Sequence, residues 1–248
     1  MDIDWDERFT TQSKWTDQLR QFLYQQIGIN NQSKILEVGC GTGVITSELL
    51  QYTSIPPTGI DIQFSRIKKA LEVDQKSKYF CADGFSLPFN NNCFDYILTH
   101  YFFLWIQDPV TIATEMLRVL KRGGILVALA EPDYQARIDA PYEFERLGQI
   151  QTQSLISQGA NPKAGRSLPE IFSKSGLSEI QFGLSGFQIA PNHLPNWFES
   201  EWKVINRDLS GQFTKIEMDH YQQLDQEARE AGVRVFWVPT FYSYGKKL

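Results

Sequence analysis

The chain has 248 residues, 42% of them hydrophobic and 13% aromatic, with a formal net charge of −5. That is enough apolar material for one sizeable α/β core, and the acidic balance argues against a nucleic-acid partner, which a basic stripe would hold. Cys40, Cys81 and Cys93 are odd in number and widely spaced, which suits a reduced, cytoplasmic compartment and shows no metal-ligand spacing, so no metal is expected.

The first residues, Met-Asp-Ile-Asp-Trp-Asp-Glu-Arg, carry no apolar h-region, so no secretory signal is expected. Helical character runs from Ser13 to Gln26. From about residue 33 strand-like and helix-like segments alternate. Ile35–Val38 reads as a strand and Val44–Leu50 as a helix. Gly59–Ile62 is the second strand, Ser65–Val73 a helix, Tyr79–Ala82 the third strand and Phe94–Thr99 the fourth. Asp108 then caps a helix with Pro109 at its first position. Ile112, Met116, Val119 and Leu120 line one face of that helix, and Gly123-Gly124 stops it. Ile125–Ala130 is the fifth strand and the longest clean apolar run, far too short to span a bilayer. Repeated alternation of this kind, with strands that are apolar throughout, implies a mostly parallel sheet covered on both faces. Beyond it, Phe144–Ile156 reads as helix. Ser167-Leu168-Pro169-Glu170 reads as a capping box opening a helix that ends near Gly176. Ile180–Leu184 is a sixth strand, residues 188–231 are mostly helix-like, and Val233–Tyr244 is a last strand.

The stretch Lys-Ile-Leu-Glu-Val-Gly-Cys-Gly-Thr-Gly, residues 34–43, runs the first strand into Gly39, Gly41 and Gly43. Ligands of open α/β sheets sit beyond the carboxyl ends of the strands, and glycine there leaves bare backbone against the ligand. The dinucleotide fingerprint puts its third glycine three residues after the second; here it comes two after. Glu37 would repel a pyrophosphate, which seeks positive potential, and suits an ammonium group. Asp61, at the end of the second strand, can accept from ribose hydroxyls. Asp83, after the third, can accept from an adenine amine. An ammonium, a ribose and an adenine amine with no phosphate between them describe S-adenosylmethionine. Taken singly, Asp61 and Asp83 would be ordinary loop carboxylates; their placement after the second and third strands sets them apart. Cys40 reads as a small apolar filler, not a nucleophile.

Glu37-Val38-Gly39-Cys40-Gly41-Thr42-Gly43, Gly59-Ile60-Asp61, Ala82-Asp83, Phe94-Asp95 and Leu120-Lys121-Arg122-Gly123-Gly124, in that order, resemble the class I S-adenosylmethionine-dependent methyltransferases, in particular the small-molecule branch with the ubiquinone and menaquinone enzymes. The resemblance covers residues 33 to about 187. Arg122 stands where that family commonly has proline. The resemblance implies a Rossmann-like, doubly wound sheet of seven strands, mostly parallel with the last antiparallel. One domain is expected, with an N-terminal helical lid (1–32), a core (33–187), a helical insertion (188–232) and a final strand (233–248). By resemblance the cofactor lies among Glu37, Gly39, Cys40, Gly41, Thr42, Gly43, Asp61, Ile62, Asp83, Gly84, Phe85 and Thr99, with S-adenosylhomocysteine as product and a small molecule as methyl acceptor. A non-catalytic S-adenosylmethionine-binding module is the rival reading; an NAD-dependent oxidoreductase is disfavoured by the glycine spacing and Glu37.

Methyl transfer from a sulfonium is an in-line displacement, for which alignment supplies much of the barrier reduction and a base is optional. Candidates for a base are His100, which ends the fourth strand, and Glu131 and Asp133, which follow the fifth. His100 can equally orient a loop, and the two carboxylates can equally cap the next turn. Arg137 could pair with them or with an anionic substrate. His193 and His220 read as surface residues. Tyr101, Phe102, Phe103 and Trp105, with Trp5, Phe9 and Trp15 before the core and Trp197, Phe198 and Trp202 in the insertion, supply core packing or an apolar lid over the strand ends.

Overall fold

The computed structural model describes the backbone of residues 5–185 and 198–248 and side chains from residue 9; the Trp5 side chain, His193 and Trp197 lie outside the described residues. Two helices open the chain, α1 (Trp5–Trp15) and α2 (Asp17–Gln26). The single helix expected from Ser13 is broken at Thr16, whose φ of −116° leaves the helical region. Then follow β1 (Ile35–Val38), α3 (Val44–Glu48), β2 (Thr58–Asp61), α4 (Phe64–Val73), β3 (Lys78–Cys81), β4 (Phe94–Thr99), α5 (Pro109–Val119) and β5 (Leu120–Pro132). The rest is β6 (Ile138–Ala140), α6 (Glu143–Ser157), α7 (Ala164–Ser175), β7 (Ser178–Ser185), α8 (Phe198–Asp208), α9 (Lys215–Glu230), β8 (Val235–Trp237) and β9 (Thr240–Lys246).

Seven strands form one sheet in the order β3-β2-β1-β4-β5-β9-β7. The strands from β3 to β5 are parallel, and β9 runs antiparallel between β5 and β7. This is the expected seven-stranded, mostly parallel sheet with its last strand antiparallel. The strand order reverses between β1 and β4, where open α/β sheets place their ligand crevice.

The apolar runs are continuous because both faces are covered. Leu36 and Val38 of β1 and Ile97 of β4 join a cluster with Ile112 and Met116 of α5 and Leu168 and Phe172 of α7. Ile35 and Leu98, their neighbours in sequence, point to the opposite layer with Leu23 and Tyr24 of α2 and Ile45 of α3. Alternation along each strand thus feeds two apolar layers.

Asp108 caps α5 as the sequence suggests, accepting from the Thr111 N–H at 3.1 Å, with Pro109 at the first position. Three boundaries differ. The paired glycines do not end α5, which stops at Val119; they sit within β5, where a Cβ on Gly124 would come within 2.8 Å of the Asp95 carbonyl oxygen. Helix α7 begins at Ala164, so Ser167 is interior and its hydroxyl donates to the Lys163 carbonyl instead of capping. The single strand expected over Val233–Tyr244 is two: β8 pairs with β6, and β9 enters the main sheet. Pro239 separates them, since it has no N–H for a ladder.

Helices α8 and α9 build a smaller core with α6, from Leu147, Phe198, Trp202, Ile205 and Met218. Trp202 is core here, and its indole N–H donates to Asp225 at 3.0 Å. A buried charge network joins this unit to the rest: Arg234 donates to Asp225 at 2.7 Å and to Asp139 of β6 at 2.9 Å, Arg229 pairs with Asp225, and Arg137 with Asp139. Arg137 is therefore held inside the protein by Asp139 and Gln151 and pairs with neither Glu131 nor Asp133.

Candidate active site

A cavity of about 930 Å³ opens at the carboxyl ends of β1, β2, β3 and β4 and continues beneath α1, α6 and α8. Its inner wall is the turn after β1. Gly39, Gly41 and Gly43 have φ of 78°, 55° and 83°, a left-handed backbone that glycine adopts without steric cost. The space over two of them is already tight: a Cβ on Gly41 would sit 3.1 Å from the Phe9 ring, and one on Gly39 would overlap Phe102.

Glu37 lines the cavity and is 1% exposed. Thr46 donates to one of its oxygens, and no cation pairs with it among the described residues. Burial pushes its pKa up to about 7, against the Thr46 hydrogen bond. A buried carboxylate without a counter-ion is matched by a ligand ammonium group and mismatched to a phosphate.

Asp61 is the hinge of the site. One oxygen accepts from the Gly41 N–H at 3.0 Å, the other from the Gln63 N–H at 2.8 Å, and Arg66 lies 3.6 Å away. A carboxylate has about four acceptor positions, so two remain for a pair of ribose hydroxyls. Asp83 accepts from the Phe85 N–H at 2.9 Å. Asp61→Ala should weaken nucleoside binding by about 1–3 kcal/mol, since it removes charged acceptors and frees the Gly41 turn. Calorimetry with S-adenosylhomocysteine checks this; unchanged affinity would remove Asp61 from the site.

Of the expected cofactor set, Glu37, Gly39, Cys40, Gly41, Asp61, Ile62, Asp83, Gly84 and Phe85 line the cavity. Thr42, Gly43 and Thr99 do not: Gly43 packs against the Tyr79 hydroxyl and precedes α3 as its N-cap, and the hydroxyls of Thr42 and Thr99 are buried without a hydrogen-bond partner among the described residues.

The three candidate bases have different surroundings. Glu131 is fully buried, accepts from the N–H groups of Phe102, Phe103 and Leu104, and does not line the cavity. Burial pushes its pKa up to about 7, and these three donors act against the rise. Asp133 is likewise fully buried, accepts from the Ala136 N–H at 3.1 Å and pairs with Arg166. Both carboxylates shape loops. His100 does line the cavity, but burial and the Arg20 cation push its pKa down to about 3, so it is a poor proton acceptor.

His100 belongs to a chain of contacts that sequence reasoning missed. Arg20, 2% exposed, donates to Glu48 and to Thr16 Oγ1, which lies 2.8 Å from His100 Nε2. The chain ties α2 to α3 and to the end of β4. Arg66 was also missed; its guanidinium stands 5.4 Å from the centroid of the ring of Phe9, one of the aromatics expected to pack or to form a lid. A sequence signal existed for Arg66, which lies in the first turn of the helix that follows Asp61.

Residues 36–128 match the methyltransferase domain family. An uncharacterized methyltransferase of Schizosaccharomyces pombe is 33% identical over 56% of this chain and 55% of its own length. The 2-methyl-6-phytyl-1,4-hydroquinone methyltransferase of Synechocystis is 28% identical over 70% and 54%. The chain thus spans about half the length of these relatives. Among solved structures, Haemonchus contortus phosphoethanolamine N-methyltransferase 2, in complex with phosphomonomethylethanolamine and S-adenosylhomocysteine, shares the fold with a TM-score of 0.61. It is 17% identical, and the likeness covers 93% of this chain and 52% of that one. Residues 36–128 thus match the methyltransferase domain family, and the chain shares its fold with a solved methyltransferase.

Proposed function

We propose that the chain transfers a methyl group from S-adenosylmethionine to a small-molecule acceptor held in the same cavity. The observation that carries the reading is the buried carboxylate of Glu37, which has no ion-pair partner among the described residues, beside the positive-φ glycine turn, with Asp61 and Asp83 at the ends of the next two strands. When bound, the cofactor supplies an electrophilic methyl on a sulfonium. In this reading Glu37 holds its ammonium group, Asp61 its ribose and Asp83 its adenine amine.

The cavity volume lies at the upper end of the usual range for ligand sites, about 300–1,000 Å³, which leaves room for an acceptor beside the cofactor. Trp15, Trp105, Tyr134, Phe236 and Trp237 line it, and such a wall favours an acceptor with a large apolar face. Most of these residues lie outside 36–128, so the accessory elements supply much of the acceptor's selection. With no well-placed base among the three candidates, the chain would work by orientation and exclusion of water. Among the described residues no helix is long and apolar enough to cross a membrane.

Calorimetry with S-adenosylhomocysteine and with NAD tests the cofactor, and transfer of labelled methyl into a metabolite extract tests turnover. Micromolar binding of the first ligand only, with label in the small-molecule fraction, is expected. Binding without transfer would favour a non-catalytic module, and NAD binding alone would overturn the reading.

A further inference from the structure

His100 carries a ring nitrogen that forms no hydrogen bond among the described residues. Thr16 Oγ1 lies 2.8 Å from Nε2 of His100, and a hydroxyl has a single hydrogen to give. Arg20 Nη1 donates to that same oxygen at 2.7 Å and to the Ser13 carbonyl at 2.5 Å. The Ser13 carbonyl is the competing acceptor for the Thr16 hydrogen. It lies further off, at 3.3 Å, and a charged donor already serves it. The Thr16 hydrogen therefore goes to Nε2. A neutral imidazole must then carry its own proton on Nδ1. Nδ1 forms no hydrogen bond among the described residues, and His100 lines the cavity. The charged groups of this network are Arg20 and Asp17 from α2 and Glu48 from α3, with Glu37 of β1 in electrostatic range of Arg20 and Glu48. Burial, with the Arg20 cation adding to it, keeps the His100 ring neutral.

We propose that His100 donates a hydrogen bond through Nδ1 to an oxygen of the bound ligand, with Arg20 and Thr16 as positioning residues that set its tautomer. The proposal rests on the reading of the cavity as a cofactor and acceptor site. The oxygen belongs either to the carboxylate of the cofactor's methionine moiety or to the methyl acceptor, and both have the same chemistry toward an N–H donor. The role is opposite to that of a general base: the ring gives a hydrogen bond and takes no proton.

Nitrogen-15 NMR of the imidazoles in the ligand-free full chain reads the tautomer directly. The chain has three histidines, and His100→Asn identifies the signal. The expected pattern is neutral, protonated on Nδ1, and constant between about pH 5 and about pH 8. Thr16→Val should move the proton to Nε2. S-adenosylhomocysteine and its decarboxylated analogue are then titrated into the parent and both variants. A roughly tenfold loss in Thr16→Val for the first ligand only assigns the oxygen to the cofactor carboxylate. Unchanged affinity with a raised acceptor KM assigns it to the acceptor. His100→Asn, whose amide N–H stands near the position of Nδ1, should stay within about threefold of the parent in the measure that moves. A proton on Nε2 in the parent, a titration near pH 6.5, or a Thr16→Val chain unchanged in both affinity and KM would overturn the proposal. A parent that binds no S-adenosylhomocysteine would overturn the functional reading and the ligand half of this one, while the tautomer still decides the positioning half.

Discussion

Glu37→Gln should make the ligand-free protein more stable at pH 8 and at the same time remove most of its affinity for S-adenosylhomocysteine. The wild-type carboxylate is raised from 4.5 to about 7 by burial. The folded state therefore holds this proton more tightly than the unfolded chain does. Protonated Glu37 costs nothing extra below about pH 4.5; ionised, it destabilises the fold increasingly as pH rises to about 7, and by a constant amount above. The gap corresponds to on the order of 3 kcal/mol. Glutamine keeps an oxygen for the Thr46 hydrogen bond and has no charge to desolvate, so urea unfolding at pH 8 should show most of that gain, and at pH 5 little of it. Binding moves the other way, by about 1.5–3 kcal/mol or roughly ten- to a hundredfold, because the partner of the ligand's ammonium group is gone. A variant no more stable than its parent at pH 8 would mean that another group compensates the charge.

The second large effect is expected at Arg234. It is almost fully buried, bridges Asp139 and Asp225, and stacks on Phe144 with the guanidinium 4.1 Å from the ring centroid. Arg234→Ala leaves two buried carboxylates with one cation each, Arg137 and Arg229. Removing one member of a buried ionic network costs about 3–5 kcal/mol, and the loss falls where α9 and β8 meet β6. Denaturant unfolding should become biphasic, with the α8–α9 unit released first while the large sheet keeps its near-native circular dichroism. A single transition of unchanged midpoint would show that the apolar contacts of Trp202, Ile205 and Met218 suffice to hold that unit.

The parts of the fold that could be read from sequence are those whose determinants are local. The strands Ile35–Val38 and Phe94–Thr99 have the expected bounds because an apolar run buried on both faces has no other low-energy home. Asp108-Pro109 caps its helix through contacts spanning three residues. The glycine turn was legible because three positive-φ positions need three glycines. What was missed depends on partners far along the chain. Nothing near Glu131 in sequence announces that it will receive three N–H groups from residues 102–104, nor that Asp133 will meet Arg166. The roles of those carboxylates as loop anchors, and of His100 as partner of Thr16, are set by tertiary neighbours. The division of the last strand turned on Pro239, a breaker in plain view within an otherwise β-rich stretch.

The position of β9 bears on how the molecule is made. Among the described residues strand β7 pairs only with β9, and β9 fills the space beside β5. A nascent chain emerging from the ribosome can therefore complete the five parallel strands and still present the open flank of β5, while β7 waits unpaired across roughly the fifty-five residues that separate it from its neighbour. Unpaired flanks of this kind template association with other chains, and such long-range pairings close slowly. Vectorial synthesis thus leaves this sheet exposed to aggregation until β9 is released, and a translational pause shortly upstream of Thr240 would prolong that window.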